Sequence, residues 1–246
     1  MKVEICCGSL EDAMIAYNAG IKRIELNSAL FLGGLSPSFS AIKILKEKTD
    51  LEIIAMARIR GGGFFYNDIE YEQLKKEIED MLKLGVDGIC CGILTEDKNI
   101  DTKRISELVR IVHEYKKTFV FHRAIDLTDD IFESTEILID LGVDRILTSG
   151  GKKTAILGKG NIKELVKRYS KDIEILAGSG INYENATDFI DYTKVDQIHS
   201  SCSTMAYDET SSNEFLSFDY DRKNQFEITS AQSVEKLLKV ADSYEI

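Results

Sequence analysis

Eight times along the chain a short run rich in Ile, Val and Leu is followed by a longer amphipathic stretch. The runs begin near Val3, Arg23, Ile53, Asp87, Thr118, Asp144, Ile173 and Val195, and each ends in glycine, a charge or histidine. Short apolar runs alternating with helical stretches of roughly 10–15 residues mark βαβ units and a parallel sheet. Eight such units in about 250 residues make one (β/α)8 barrel of the TIM type, here expected to span 1–246 as a single domain. Leu84-Gly85-Val86-Asp87 and Leu141-Gly142-Val143-Asp144 each stop a helix just before a strand, as Ala19-Gly20-Ile21-Lys22 does earlier. Asp68, Asp101 and Asp130 are expected helix caps, Asn182 is expected to open the helix after the seventh strand, and the last helix starts near Ser230.

Strand faces in a barrel alternate between the interior and an apolar helix layer. That parity sends Glu4 and Cys6 inward from the first strand and Arg23, Glu25 and Asn27 from the second. It sends Ile54, Met56, Arg58 and Arg60 inward from the third, Val120 and His122 from the fifth, and Gln197 and His199 from the eighth. Barrel chemistry sits where strands end. Glu25, Arg58, Arg60, His122, Arg123, Asp126 and His199 are therefore expected at one mouth. Interior charges are costly unless paired, so Glu4 and Glu25 are expected to neutralise Arg58 and Arg60.

Two glycine-rich strand ends, Leu147-Thr148-Ser149-Gly150-Gly151-Lys152 and Leu176-Ala177-Gly178-Ser179-Gly180, follow strands six and seven. Glycines let backbone N–H groups converge on an anion, and late loops of such barrels are common phosphate sites. Ser149, Gly150, Gly178, Ser179 and Gly180 are the expected anion cradle. Around it, Arg58, Arg60 and Arg123 would clamp a carboxylate or phosphate through forked hydrogen bonds. His122 or His199 would be the general acid or base, with Glu25 a second base and Asp126 pairing with Arg123 or His122. No strand carries an inward lysine, which disfavours imine chemistry and leaves proton transfer, isomerisation or hydrolysis. No nucleotide fingerprint is present, so no nucleotide cofactor is expected.

Composition changes this picture little. At 246 residues and 43% hydrophobic, the chain has material for one large core. A net charge of −11 without a basic patch argues against nucleic acid or an anionic membrane as partner. No apolar run reaches a membrane span and no leader is evident, so a cytoplasmic protein is expected. Four of the five cysteines form the adjacent pairs Cys6-Cys7 and Cys90-Cys91. Strand neighbours point to opposite faces, so reduced thiols are expected rather than disulfides.

The motifs together carry a resemblance. Glu4-Ile5-Cys6-Cys7, Arg23-Ile24-Glu25-Leu26, Gly33-Gly34-Leu35-Ser36-Pro37-Ser38, Arg58-Ile59-Arg60-Gly61-Gly62 with Phe65-Tyr66, and Phe121-His122-Arg123-Ala124-Ile125-Asp126 resemble the CutC family in order. Leu147-Thr148-Ser149-Gly150, Ala177-Gly178-Ser179-Gly180 and His199-Ser200-Ser201 continue the likeness to the last strand. The resemblance implies a cytoplasmic TIM-like barrel, usually a homo-oligomer, with a copper-homeostasis label. Departures stand at Ile59, where the family reads proline, at Gly63, where it reads aspartate, at Asn27 for a frequent cysteine, and at Leu32 for a common acid.

Copper and a small anionic metabolite are thus the two ligand classes to weigh. Cuprous ion prefers thiolate and thioether, with imidazole acceptable. The inward candidates are Cys6, Cys90, His122 and His199, with Cys6 and Cys90 the expected metal pair and Cys202 near the mouth. There is no Cys-x-x-Cys and no His-x-His. The arginine-histidine set favours the anion. Between His199 and the last helix lies a Ser/Thr/Asp/Asn-rich segment, roughly 200–229, with Met205, Tyr207, Phe215, Phe218 and Tyr220. A loop that long is expected to be a lid, a subunit contact or a surface excursion.

Overall fold

The computed structural model describes residues 1–219 and 223–244. Eight parallel strands close into a barrel in chain order. They are β1 (Lys2–Cys7), β2 (Arg23–Leu26), β3 (Glu52–Met56), β4 (Gly88–Cys91), β5 (Thr118–Phe121), β6 (Arg145–Thr148), β7 (Glu174–Ala177) and β8 (Gln197–Ser200). The outer layer is α1 (Leu10–Asn18), α2 (Phe39–Lys48), α3 (Asp68–Lys83), α4 (Thr102–Glu114), α5 (Ile131–Asp140), α6 (Ala155–Tyr169), α7 (Ala186–Thr193) and α8 (Ala231–Asp242). This is the (β/α)8 architecture that the apolar runs predict.

Two apolar layers follow from strand parity. Ile5, Ile24, Ile53, Ile89, Phe119, Ile146 and Ile198 point outward and pack with Leu74, Ile78 and Leu108 of the helices in one continuous core. Each such side chain contributes roughly 1.5–3 kcal/mol by leaving water. Inside the barrel a separate cluster of Ile54, Met56, Cys90, Val120, Leu147 and Leu176 fills β3 to β7. The β8–β1–β2 side is polar instead. There Glu4 lies beside Arg23 on one neighbour and His199 on the other, and Cys6 lies beside Glu25.

Helix starts refine the expected caps. Asp101 and Asp130 cap α4 and α5, and Ser230 caps α8. α3 is capped by Asn67 rather than Asp68, because Asn67 and Glu70 complete a reciprocal capping box. Asp68 falls in the first turn, where its charge complements the helix dipole. Asn182 does not cap α7 either. It holds a preceding turn by accepting from the N–H groups of Glu184 and Asn185, and Asn185 is the capping position.

The segment after β8 is not an irregular loop. β9 (Ser203–Tyr207) pairs antiparallel with β10 (Gln225–Thr229) in a two-stranded arm. Its base is tied to the barrel by Thr229, whose N–H donates to Asp12 Oδ1 at 2.7 Å. Phe215 and Phe218 project into solvent, 84% and 79% exposed, and so do not pack on the barrel. Tyr220 lies outside the described residues. Among the described residues, no helix is long and apolar enough to cross a membrane.

Candidate functional site

Beneath the mouth, on the polar side, lies a buried charge network centred on Glu4. Its Oε2 is 2.8 Å from Arg23 Nε and 3.7 Å from Arg145 Nη1, and its Oε1 is 2.9 Å from His199 Nδ1. Arg23 donates to Gln197 at 2.7 Å, and Glu174 accepts from both Arg145 at 2.6 Å and Gln197 at 3.0 Å. Glu4 thus neutralises Arg23 and Arg145, not Arg58 and Arg60. Barrel register decides this, because Glu4 sits one strand from Arg23 while Arg58 follows the end of β3. Arg145 and Glu174 were assigned no role by motif, yet the alternation Arg145, Leu147 along β6 already marks Arg145 as inward.

Burial favours the neutral forms of Glu4 and His199, but their mutual hydrogen bond and surrounding charges outweigh it. For Glu4, the His199 hydrogen bond and the Arg23 guanidinium bring the carboxyl below its ordinary range. For His199, the Glu4 hydrogen bond and the charges of Glu25 and Glu4 raise the imidazole above its usual value. Both shifts favour the ionic form of the pair, and the other imidazole nitrogen of His199 faces Glu25, 4.0 Å from Oε2.

The mouth itself is a cavity of about 1150 Å³, lined among others by Cys6, Glu25, Arg58, His122, Arg123, Asp126 and His199. Arg58 is 4% exposed. Its guanidinium donates to the carbonyl oxygens of Leu32, Gly34 and Gly62 at 2.8, 3.1 and 2.6 Å and lies over the Phe64 ring. Among the described residues it has no carboxylate partner, and its Nε is buried without one. Arg60 does not join this cavity. The inward period holds through Arg58 and lapses after it, and Arg60 turns outward to pair with Glu70 of the α3 capping box and stack on Tyr66.

The expected anion cradle is already filled by a carboxylate of the chain itself. Asp126 Oδ1 accepts from Thr148 Oγ1, Ser149 N and Gly151 N at 2.6, 3.1 and 2.9 Å. Its Oδ2 accepts from Ser149 N, Ser149 Oγ and Arg123 Nε at 3.0, 2.8 and 3.0 Å. Ser149 and Gly150 consequently do not line the cavity, and the Gly150 N–H is occupied by Thr148 Oγ1 at 2.9 Å. The loop is also pinned by α6, since a Cβ at Gly158 would lie 1.9 Å from the Ser149 carbonyl oxygen. Gly178 packs against His199, leaving Ser179 and Gly180 on the cavity wall beside Lys152 and Lys153. Lys152 ends the glycine-rich motif of strand six but has no assigned role there, and Lys153 follows it outside any motif.

A model of the CutC family matches residues 1–204. A CutC family protein of Treponema denticola is 47% identical over 199 residues, 81% of this chain and 80% of its own length. A CutC family protein of Histophilus somni is 34% identical across 93% of both chains. The chain belongs to the CutC family. A solved structure, titled a putative copper homeostasis protein CutC from Streptococcus agalactiae, superposes with a TM-score of 0.76 at 33% identity, covering 82% of this chain and 98% of that one.

Within this CutC chain the departures from the family's motifs have visible surroundings. Asn27 donates to Glu25 Oε2 at 2.9 Å and to Cys6 Sγ at 3.5 Å, so an amide tethers the Cys6–Glu25 pair. The donor atoms of Cys6, Glu25 and His199 all lie within 4.8 Å of one another, a spacing that could hold one ion. Cys90 is not part of that group. It is buried in the apolar interior layer, and its thiol, like that of Cys6, is pushed well up by burial and by Glu25. The five cysteines are free thiols.

Proposed function

We propose that this CutC-family chain is an enzyme that binds a small phosphorylated or carboxylated metabolite at the barrel mouth and moves protons with Glu25 and His199. The observation that carries this reading is Arg58, a buried cation facing a large cavity, held by carbonyl oxygens and the Phe64 ring with no carboxylate partner among the described residues. A buried charge without a counterion is costly, and an anionic ligand supplies one. Lys152 and Lys153 on the β6–α6 loop add attraction for the same class of ligand. His199, whose imidazole the Glu4 hydrogen bond and the nearby carboxylates raise against the effect of burial, suits a general acid, and Glu25 has a buried Oε1 with no hydrogen-bond partner among the described residues.

A second reading, copper binding, is favoured by the Cys6–Glu25–His199 group. Its donors fit one ion of intermediate softness, with a single sulfur, an imidazole and a carboxylate. A cuprous ion would prefer more sulfur than this. An ion there would be held by those three residues and would offset the burial that keeps the Cys6 thiol protonated.

One experiment separates the readings. Inorganic phosphate at ten times its Kd should stabilise the protein by about 1.4 kcal/mol, roughly 3–5 °C in Tm. That shift should persist in Cys6→Ser and disappear in Arg58→Met. Tight cuprous binding that is lost in Cys6→Ser and intact in Arg58→Met, without any phosphate effect, would decide for copper.

A further inference from the structure

The second mouth histidine differs from the first in what its nitrogens meet. His122 follows β5, and its Nδ1 accepts the Ala124 N–H at 3.2 Å. Nδ1 therefore carries no proton, and Nε2 of the neutral ring does. Nε2 is buried and has no hydrogen-bond partner among the described residues, yet His122 lines the mouth cavity. The ring cannot readily turn over. It lies 4.7 Å from the Phe64 ring, and a Cβ at Gly92 would come within 2.5 Å of its Cε1. Two more polar atoms of the same cavity wall are buried and unpartnered, Arg58 Nε and Glu25 Oε1. Two donors and one acceptor thus await a ligand that supplies the complementary groups.

We infer that this ligand carries a carbonyl beside a carbon bearing hydrogen and a hydroxyl, with His122 Nε2–H donating to the carbonyl oxygen and Glu25 removing the neighbouring proton. This rests on the anion-site reading above. The C–H bond breaks, its electron pair forms the carbon–carbon double bond, and the carbonyl π pair moves onto oxygen. The resulting enediolate oxygen is stabilised by His122 and Arg58. Glu25 then returns the proton to the former carbonyl carbon while the hydroxyl proton passes to the former carbonyl oxygen. The sum is an isomerisation that needs no oxidant and no co-reactant. A neutral imidazole is the right donor, because its N–H strengthens as charge develops on oxygen without first releasing a proton to solvent. Burial and the Arg58 charge push the His122 imidazole down to about 3, so it stays neutral through the physiological range.

The test uses 2-phosphoglycolohydroxamate, a planar enediolate mimic carrying phosphate, titrated calorimetrically against inorganic phosphate with EDTA present. The hydroxamate should bind at least tenfold more tightly than phosphate to the unmodified protein. His122→Leu should remove most of that advantage, up to about 10²-fold, with phosphate affinity nearly unchanged, and His122→Gln should restore part of it through its amide N–H. Nitrogen-15 spectra of the unmodified protein should show the Nε2–H tautomer from pH 5 to 8. Equal affinity for hydroxamate and phosphate, or an Nδ1–H or cationic His122 at pH 6, would overturn the inference and leave the anion site standing. Binding of neither compound would overturn both.

Discussion

Replacing Glu4 by alanine should lower stability by about 3–5 kcal/mol, on the order of 10 °C in Tm, measured as a fall in the urea midpoint. Three buried cations converge on this carboxylate: Arg23 at 2.8 Å, Arg145 at 3.7 Å and His199 at 2.9 Å. Glu174 still serves Arg145 in the variant, but Arg23 keeps only neutral Gln197. The pH dependence has a definite sign. Glu4 is held below its ordinary value in the folded state, so its contribution is full above the unfolded carboxyl pKa and fades as acid protonates it. His199 is raised, so its contribution is full below the unfolded imidazole value and fades as pH rises through the folded one. The variant should lose both dependences, and the His199 imidazole should titrate at lower pH. A loss below about 1 kcal/mol would mean that the network is solvated rather than buried.

Asp126→Ala is expected to be nearly as damaging, about 2–4 kcal/mol from the orphaned donors of Thr148, Ser149, Gly151 and Arg123. Amide hydrogen exchange at Ser149 and Gly151 should accelerate at least tenfold while the β1–β2 amides are unchanged. Arg123 should also lose order, since Asp126 and Ser149 are its partners. Unchanged exchange at those two amides would show that Asp126 serves the cavity instead of the loop.

These residues show where sequence reasoning holds and where it stops. Alternation within a strand is a local property, so the inward placement of Glu4, Glu25 and His199 follows from single runs of the chain. Arg60 lies past Arg58, where no strand ladder enforces the period, and the capping carboxylate of Glu70 pairs with it instead. The partner of Glu4 depends on register between strands, which no one strand encodes. A glycine-rich strand end looks the same whether its N–H groups await a ligand or receive a side chain from the preceding βα unit. The arm is hard to read because Met205 and Tyr207 of β9 and Phe226 and Ile228 of β10 alternate over runs of only five residues within a Ser-, Thr-, Asp- and Asn-rich segment.

Asp126 has one more consequence. Ordering a backbone residue consumes about 1–2 kcal/mol of conformational entropy, and a loop that closes only around its ligand spends it at every encounter. Here an internal carboxylate acts as a permanent resident of the β6–α6 loop, so that entropy is lost once, when the chain folds. A ligand of the proposed class would meet a wall already ordered, and its affinity would reflect the cavity's free groups rather than the work of shaping them.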